Sequence, residues 1–168
     1  MKIYICDDEK IINDIKFSKN NIALCGNKIN SCIGCFNCWV KHPMVCSHKN
    51  DVISNMCEKI IKSDEIIIIT KIRNGCYSAN VKKIIERIIG SVQPFFTIRE
   101  GEIHHRTRKD EKIKLTIWIY GDFTTLEEEI FKCLCTRNEI NLNCEKTVMK
   151  YFSNTDEIRE VLVIDNIC

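Results

Sequence analysis

With 168 residues, 45% of them hydrophobic and 29% charged, the chain is long enough to bury one substantial core and too short to suggest two, so a single domain over 1–168 is expected. Its 25 basic and 23 acidic side chains leave a net charge of +2, so no overall field draws it to nucleic acid or to an anionic membrane. The opening MKIYICDDEK turns acidic without an apolar signal region and no run reaches bilayer-spanning length, so the chain is expected to be cytoplasmic, its twelve cysteines free thiols or metal ligands rather than a secreted disulfide scaffold.

In chain order, Lys2 to Cys6 (KIYIC) is a short β-branched strand, followed at once by the acidic turn Asp7-Asp8-Glu9-Lys10. The short stretch from there to Cys32 leaves little room for a long helix and a second strand, so the first helix is expected to be shortened or absent. Asp51 to Lys62 predicts a helix with Ile53, Met56, Cys57, Ile60 and Ile61 on one face. Glu65 to Thr70 (EIIIIT) is almost continuously apolar, as a strand covered on both faces of a parallel sheet must be. Ser78 to Val92 predicts a helix with Val81, Ile84, Ile85 and Ile88 inward, and Lys112 to Tyr120 a longer strand. Thr125 with Glu128 forms a capping box opening a helix through about Asn138. Glu145 to Phe152 is the last parallel strand and Ser153 to Glu160 a short helix, with Val161 to Ile164 either completing it or adding an edge strand. This alternation predicts an α/β doubly wound sandwich around a central parallel sheet, with ligands at the carboxyl ends of the strands.

The segment richest in chemistry is the cysteine loop at 32–46, where Cys32, Cys35, Cys38 and Cys46 are spaced C-x2-C-x2-C-x7-C. Three closely spaced thiols and a nearby fourth can supply an all-thiolate shell to a 4Fe-4S cluster. Zinc also accepts four thiolates, although structural zinc sites more often use two separated C-x2-C pairs. A packed loop without metal is the remaining reading.

SCIGCFNCWVKHPMVC, followed by Asn50-Asp51, a helix and an apolar strand, resembles the iron-sulfur flavoprotein branch of the flavodoxin-like NADPH-dependent FMN reductases. The run Thr70-Lys-Ile-Arg-Asn-Gly-Cys-Tyr-Ser-Ala through Arg87 is similar to that family's strand, flavin-contacting loop and helix, and the stretch Gly101 to Arg108 is similar to the segment before its fourth strand. The resemblance implies a flavodoxin-like fold, self-association as a dimer or tetramer, FMN, and electron transfer from NAD(P)H or a redox partner through flavin and a 4Fe-4S cluster. It implies flavin contacts from Thr70, Lys71, Ile72, Arg73, Asn74, Gly75, Cys76 and Tyr77. Gly121 and Asp122 join them by topology. Cys32, Cys35, Cys38 and Cys46 are the implied cluster ligands.

The chain departs from this pattern where the FMN phosphate would bind. After Cys6 it carries Asp7, Asp8 and Glu9 instead of a Gly/Ser-rich loop, and three carboxylates repel a phosphate. Lys71-Ile72-Arg73 replaces the family's Pro-Val-Tyr. The alternative function is therefore a flavodoxin-like binding or scaffold subunit that has lost FMN. His104, His105, Arg106 and Arg108 either bind an anion or form a basic surface loop, His42 and His48 are expected to be solvent-exposed, and Phe95 and Phe96 are expected to anchor an interface.

Overall fold

The computed structural model describes residues 1–15, 20–48 and 50–167. Five strands form the central sheet: β1 (Lys2–Cys6), β2 (Asn21–Cys25), β3 (Glu65–Thr70), β8 (Lys114–Tyr120) and β9 (Val148–Phe152). They run parallel in the order β2-β1-β3-β8-β9. Written as first to fifth sheet strand, this is 2-1-3-4-5, the flavodoxin-like order, whose switch point lies between β1 and β3.

Strand periodicity explains how one sheet serves two cores. On one face Ile3, Ile5, Ile66, Ile68, Leu115, Ile117 and Ile119 pack with residues of α3 (Met56–Ile61), α4 (Ala79–Arg87) and α5 (Thr125–Asn141). Their immediate neighbours Tyr4, Cys6, Ile67, Ile69, Trp118 and Tyr120 point to the other face, against α1 (Glu9–Ile15) and α6 (Thr155–Ile167). A sheet covered on both sides requires apolar residues at consecutive positions, which the run Ile66 to Ile69 supplies.

Several boundaries differ from the sequence expectation. The first helix is shortened to seven residues, in line with the expectation, yet a second strand still follows it. The segment expected to be helical from Asp51 is turn through Asn55, because Asp51 is held by Arg87 and its carbonyl accepts a hydrogen bond from Ser54. The capping box sits one residue earlier: Thr124 Oγ1 accepts from the Glu127 N–H, and the Glu127 carboxylate accepts from the Thr124 N–H. Thr124-Thr125 and Glu127-Glu128 repeat the motif in two registers, so spacing alone cannot choose; Glu128 is engaged instead by Lys132 and Tyr151. The stretch expected as a basic surface loop is an antiparallel hairpin of β6 (Val92–Arg99) and β7 (Glu102–Thr107).

Gly26, in a 3₁₀ turn at Gly26–Lys28, lets β2 hand the chain over to the cysteine loop against α4: a Cβ there falls 2.1 Å from the Asn80 carbonyl oxygen. Gly26→Ala must displace helix backbone, an overpacking cost of about 1–3 kcal/mol. Thermal unfolding by circular dichroism is expected to show a melting temperature lower by roughly 3–10 °C. An unchanged or higher value contradicts this packing.

Candidate functional site

Two regions gather polar chemistry. The first is the cysteine excursion between the 3₁₀ turn and α3. Cys32, Cys35, Cys38 and Cys46 all line one cleft of about 360 Å³, together with His48 and Arg87. Cys32 and Cys35 are exposed, while Cys38 and Cys46 are half-buried. The backbone is left-handed at Phe36 (φ 55°), which precedes the short helix α2 (Asn37–Val40), and at Met44 (φ 69°). Neither residue takes that conformation freely, so the loop's shape is imposed by its anchors.

The main anchor is Arg87, at the carboxyl end of α4. Its side chain is 0% exposed and forms a two-pronged pair with Asp51: Nη1 to Oδ2 at 2.8 Å and Nη2 to Oδ1 at 3.0 Å. Nη1 also donates to the Asn30 carbonyl at 2.7 Å and Nη2 to that of His48 at 3.4 Å. One guanidinium thus ties together the chain just before Cys32 and just after Cys46. Burial by itself would push Asp51 up, but Arg87 and the Asn30 N–H hold its carboxyl below the usual range.

On the cleft wall, Arg87 Nε and His48 Nε2 are buried without a hydrogen-bond partner among the described residues. The Cys46 thiol lies beside the guanidinium. Burial and then the neighbouring Cys46, Cys32 and Cys35 thiols push the Cys38 thiol up. Trp39 Nε1 donates to the carbonyls of Ile89 and Val92, pinning the excursion to the start of β6. Cys57 lies behind the cleft as a core thiol, pushed up to about 12 by burial. Among the described residues no three His, Cys, Asp or Glu side chains converge on a single-ion site.

The second region is the carboxyl end of the sheet. Thr70 is fully buried, and its hydroxyl donates to the Lys71 carbonyl and accepts from the Ser78 N–H. The Lys71 N–H donates to Asp7 Oδ2 at 3.0 Å, and the Tyr120 hydroxyl donates to Asp7 Oδ1 at 2.6 Å. The Lys71 ammonium stands 5.3 Å from the Tyr120 ring centroid, and Gly121 packs on the Lys71 stem. Of the flavin-contact residues expected from sequence, the structure brings Thr70, Lys71 and Gly121 together here, with Asp122 exposed beside them.

The rest of that expected set lies on the hairpin that follows Lys71. Ile72 and Arg73 form β4 and Cys76 and Tyr77 form β5, a two-residue hairpin packed on α5. Asn74 donates its N–H to Glu127, and a Cβ on Gly75 (φ 70°) would fall 2.5 Å from Ile130. Tyr77 is buried, edge-on to Phe131, and accepts a hydrogen bond from Asn138. Its ring faces the core because Gly75 lets the hairpin fold against α5, a contact between remote segments that sequence does not announce.

Sequence reasoning also misplaced three histidines. His48 is half-buried on the cleft wall rather than solvated. His104 is buried, with Nδ1 2.9 Å from Asn141 Oδ1, and His105 lies between Trp39 and Phe96 at centroid distances of 4.7 and 4.9 Å. Their alternation along β7 sends them to opposite faces. Recognising the hairpin would have shown this.

No protein-family model matches the chain, and no curated protein matches it in sequence. Solved structures share its fold. The FMN-dependent NADH-azoreductase from Bacillus anthracis, solved with FMN, is 10% identical with a TM-score of 0.50, covering 98% of this chain and 95% of that one. Azoreductase AzrA is 9% identical at TM-score 0.53, over 99% and 94% of the two chains. Smu.1420 from Streptococcus mutans UA159 is 13% identical at TM-score 0.55, over 98% and 96%. These likenesses establish the flavodoxin-like α/β fold.

Asp51→Asn leaves the buried Arg87 without its counter-charge, a loss of about 3–5 kcal/mol. The expected result is a melting temperature lower by roughly 6–20 °C at neutral pH. A carboxyl held low in the folded state contributes stability above its unfolded pKa of about 3.9 and loses that contribution as pH falls through the folded value. Melts between neutral pH and about pH 2.5 should therefore show a shallower acid decline in the variant than in the wild type. Parallel declines would contradict the assignment.

Proposed function

We propose that the chain is an electron-transfer oxidoreductase whose cofactor is a 4Fe-4S cluster held by Cys32, Cys35, Cys38 and Cys46. The observation that carries this reading is that all four thiols of the motif line a single cleft whose buried wall carries a guanidinium. The fit is chemical: an all-thiolate donor set, a guanidinium on the wall, and two buried nitrogens without partners among the described residues, Arg87 Nε and His48 Nε2, on residues that line the same cleft. The cluster, when bound, supplies one-electron transfer at a potential set by charge, hydrogen bonds and solvent access. Arg87, its charge paired with Asp51, brings guanidinium N–H donors to the cleft wall, and the Trp39 and Phe36 rings of the same loop stack at 5.5 Å. Cys32 and Cys35 lie on the open side, where a redox partner or NAD(P)H would approach. Self-association belongs to the same reading, supported by the exposed Phe95, Phe96, Ile98 and Ile103 on the β6–β7 hairpin.

A flavin-dependent reaction is the second reading. It is supported by the fold shared with the FMN-dependent azoreductase and by the cations Lys71 and Arg73 near the strand ends. The residues at the β1–α1 turn do not fit the phosphate of FMN, however, because carboxylates occupy the place of its donors. A third reading, a zinc-stabilised domain, needs thiols converging on one point, since zinc-bound sulfurs at about 2.3 Å from the metal stand within roughly 4 Å of one another.

The test is spectroscopic comparison of the wild type with Cys35→Ser and Cys46→Ser after anaerobic purification. The wild type is expected to show a broad band near ~400 nm that dithionite bleaches, with both variants losing most of it along with their iron. A colourless wild type that retains zinc and unfolds on chelation would replace this reading with the third.

A further inference from the structure

The misfit at the strand ends has a specific structure. A flavodoxin-like scaffold brings the ends of its first, third and fourth sheet strands together at the switch point, and polar donors there need an acceptor. In this chain the acceptor is internal. Asp7 receives the Lys71 N–H from the end of β3 and the Tyr120 hydroxyl from the end of β8, while its own N–H donates to the Ile69 carbonyl at 3.3 Å. The turn's other groups are also engaged: Asp8 Oδ1 accepts from the Lys10 N–H at 2.8 Å, and Glu9 pairs with Lys28 at 3.2 Å. The Thr70 hydroxyl is committed to Ser78 and Lys71. Burial and Asp7 both push the Tyr120 hydroxyl up, which keeps it a donor.

We propose that the Asp7 carboxylate is a built-in replacement for a ligand's phosphate at the switch point. It satisfies the Lys71 N–H and the Tyr120 hydroxyl and closes the site to phosphate-anchored flavin. The inference stands on the hydrogen bonds of Asp7 and not on the cluster reading. Its consequence is that the three strand ends close without any ligand, leaving the cysteine cleft as the place for a cofactor. An incoming phosphate would have to displace Asp7 from both donors and then face the negative charge of Asp7, Asp8 and Glu9 together.

The test titrates full-length wild type, Asp7→Ser and Asp7→Asn with FMN and, separately, with riboflavin, which carries no phosphate. Flavin fluorescence reports binding, and far-UV circular dichroism reports folding. Wild type is expected to show no saturable FMN binding below about 1 mM, the level at which association is already marginal. Asp7→Ser frees both donors and adds a hydroxyl, and should bind FMN at least tenfold more tightly than wild type, with no gain for riboflavin. Asp7→Asn keeps the shape without the charge; it should gain less and carries the test if the serine variant does not fold. Micromolar FMN binding by wild type, an equal gain for riboflavin, or a folded variant with no gain would each overturn the proposal. Iron content should be the same in all three proteins, which separates this result from the fate of the cluster reading.

Discussion

The cysteine loop depends on one buried ion pair. Arg87 and Asp51 are almost completely withdrawn from water, with side-chain exposures of 0% and 1%, and the cost of burying two charges is met only by their two-pronged geometry and the extra carbonyls that Arg87 binds. Without it, a long excursion with two non-glycine residues in left-handed conformation would have little to hold its shape. The same guanidinium is also part of the cleft wall. Structure and proposed chemistry therefore meet in one side chain, which anchors through Nη1 and Nη2 and leaves Nε without a partner among the described residues.

The sheet presents a second closed system at its carboxyl end. Asp7 caps the ends of the paired strands β3 and β8, accepting from the Lys71 N–H and the Tyr120 hydroxyl. A flavodoxin-like fold thus has two places where a charge can organise the chain, and in this protein each is organised by an internal carboxylate. The difference lies in what is left over. At the strand ends Asp7 takes the Lys71 N–H and the Tyr120 hydroxyl, and Thr70 is used by Ser78 and Lys71. At the cleft, Arg87 Nε and His48 Nε2 have no hydrogen-bond partner among the described residues, and the four thiols form no disulfide.

Much of the fold was legible because its signals are local. The run Ile66 to Ile69 could only belong to a strand covered twice, and the inward rows of α4 repeat at helical spacing. The C-x2-C-x2-C-x7-C run marked the loop, and the acidic turn after Cys6 marked the absent phosphate site. What escaped was set by contacts between distant segments. Asp51 leaves the helix because Arg87, remote in sequence, captures it. Tyr77 turns inward because Gly75 lets its hairpin meet α5. His104 and His105 read as a basic patch until the β6–β7 pairing assigns them opposite faces. The sequence put three carboxylates where a phosphate would be repelled; only the fold shows Asp7 accepting from both Lys71 and Tyr120.

We propose that cofactor chemistry resides at the thiol cleft and not at the strand ends. The most direct measurement is iron, acid-labile sulfide and flavin quantified together in one anaerobically purified sample. The expected result is iron and sulfide in equal amounts near ~4 per chain, with flavin absent. Stoichiometric flavin in an iron-free protein would contradict it.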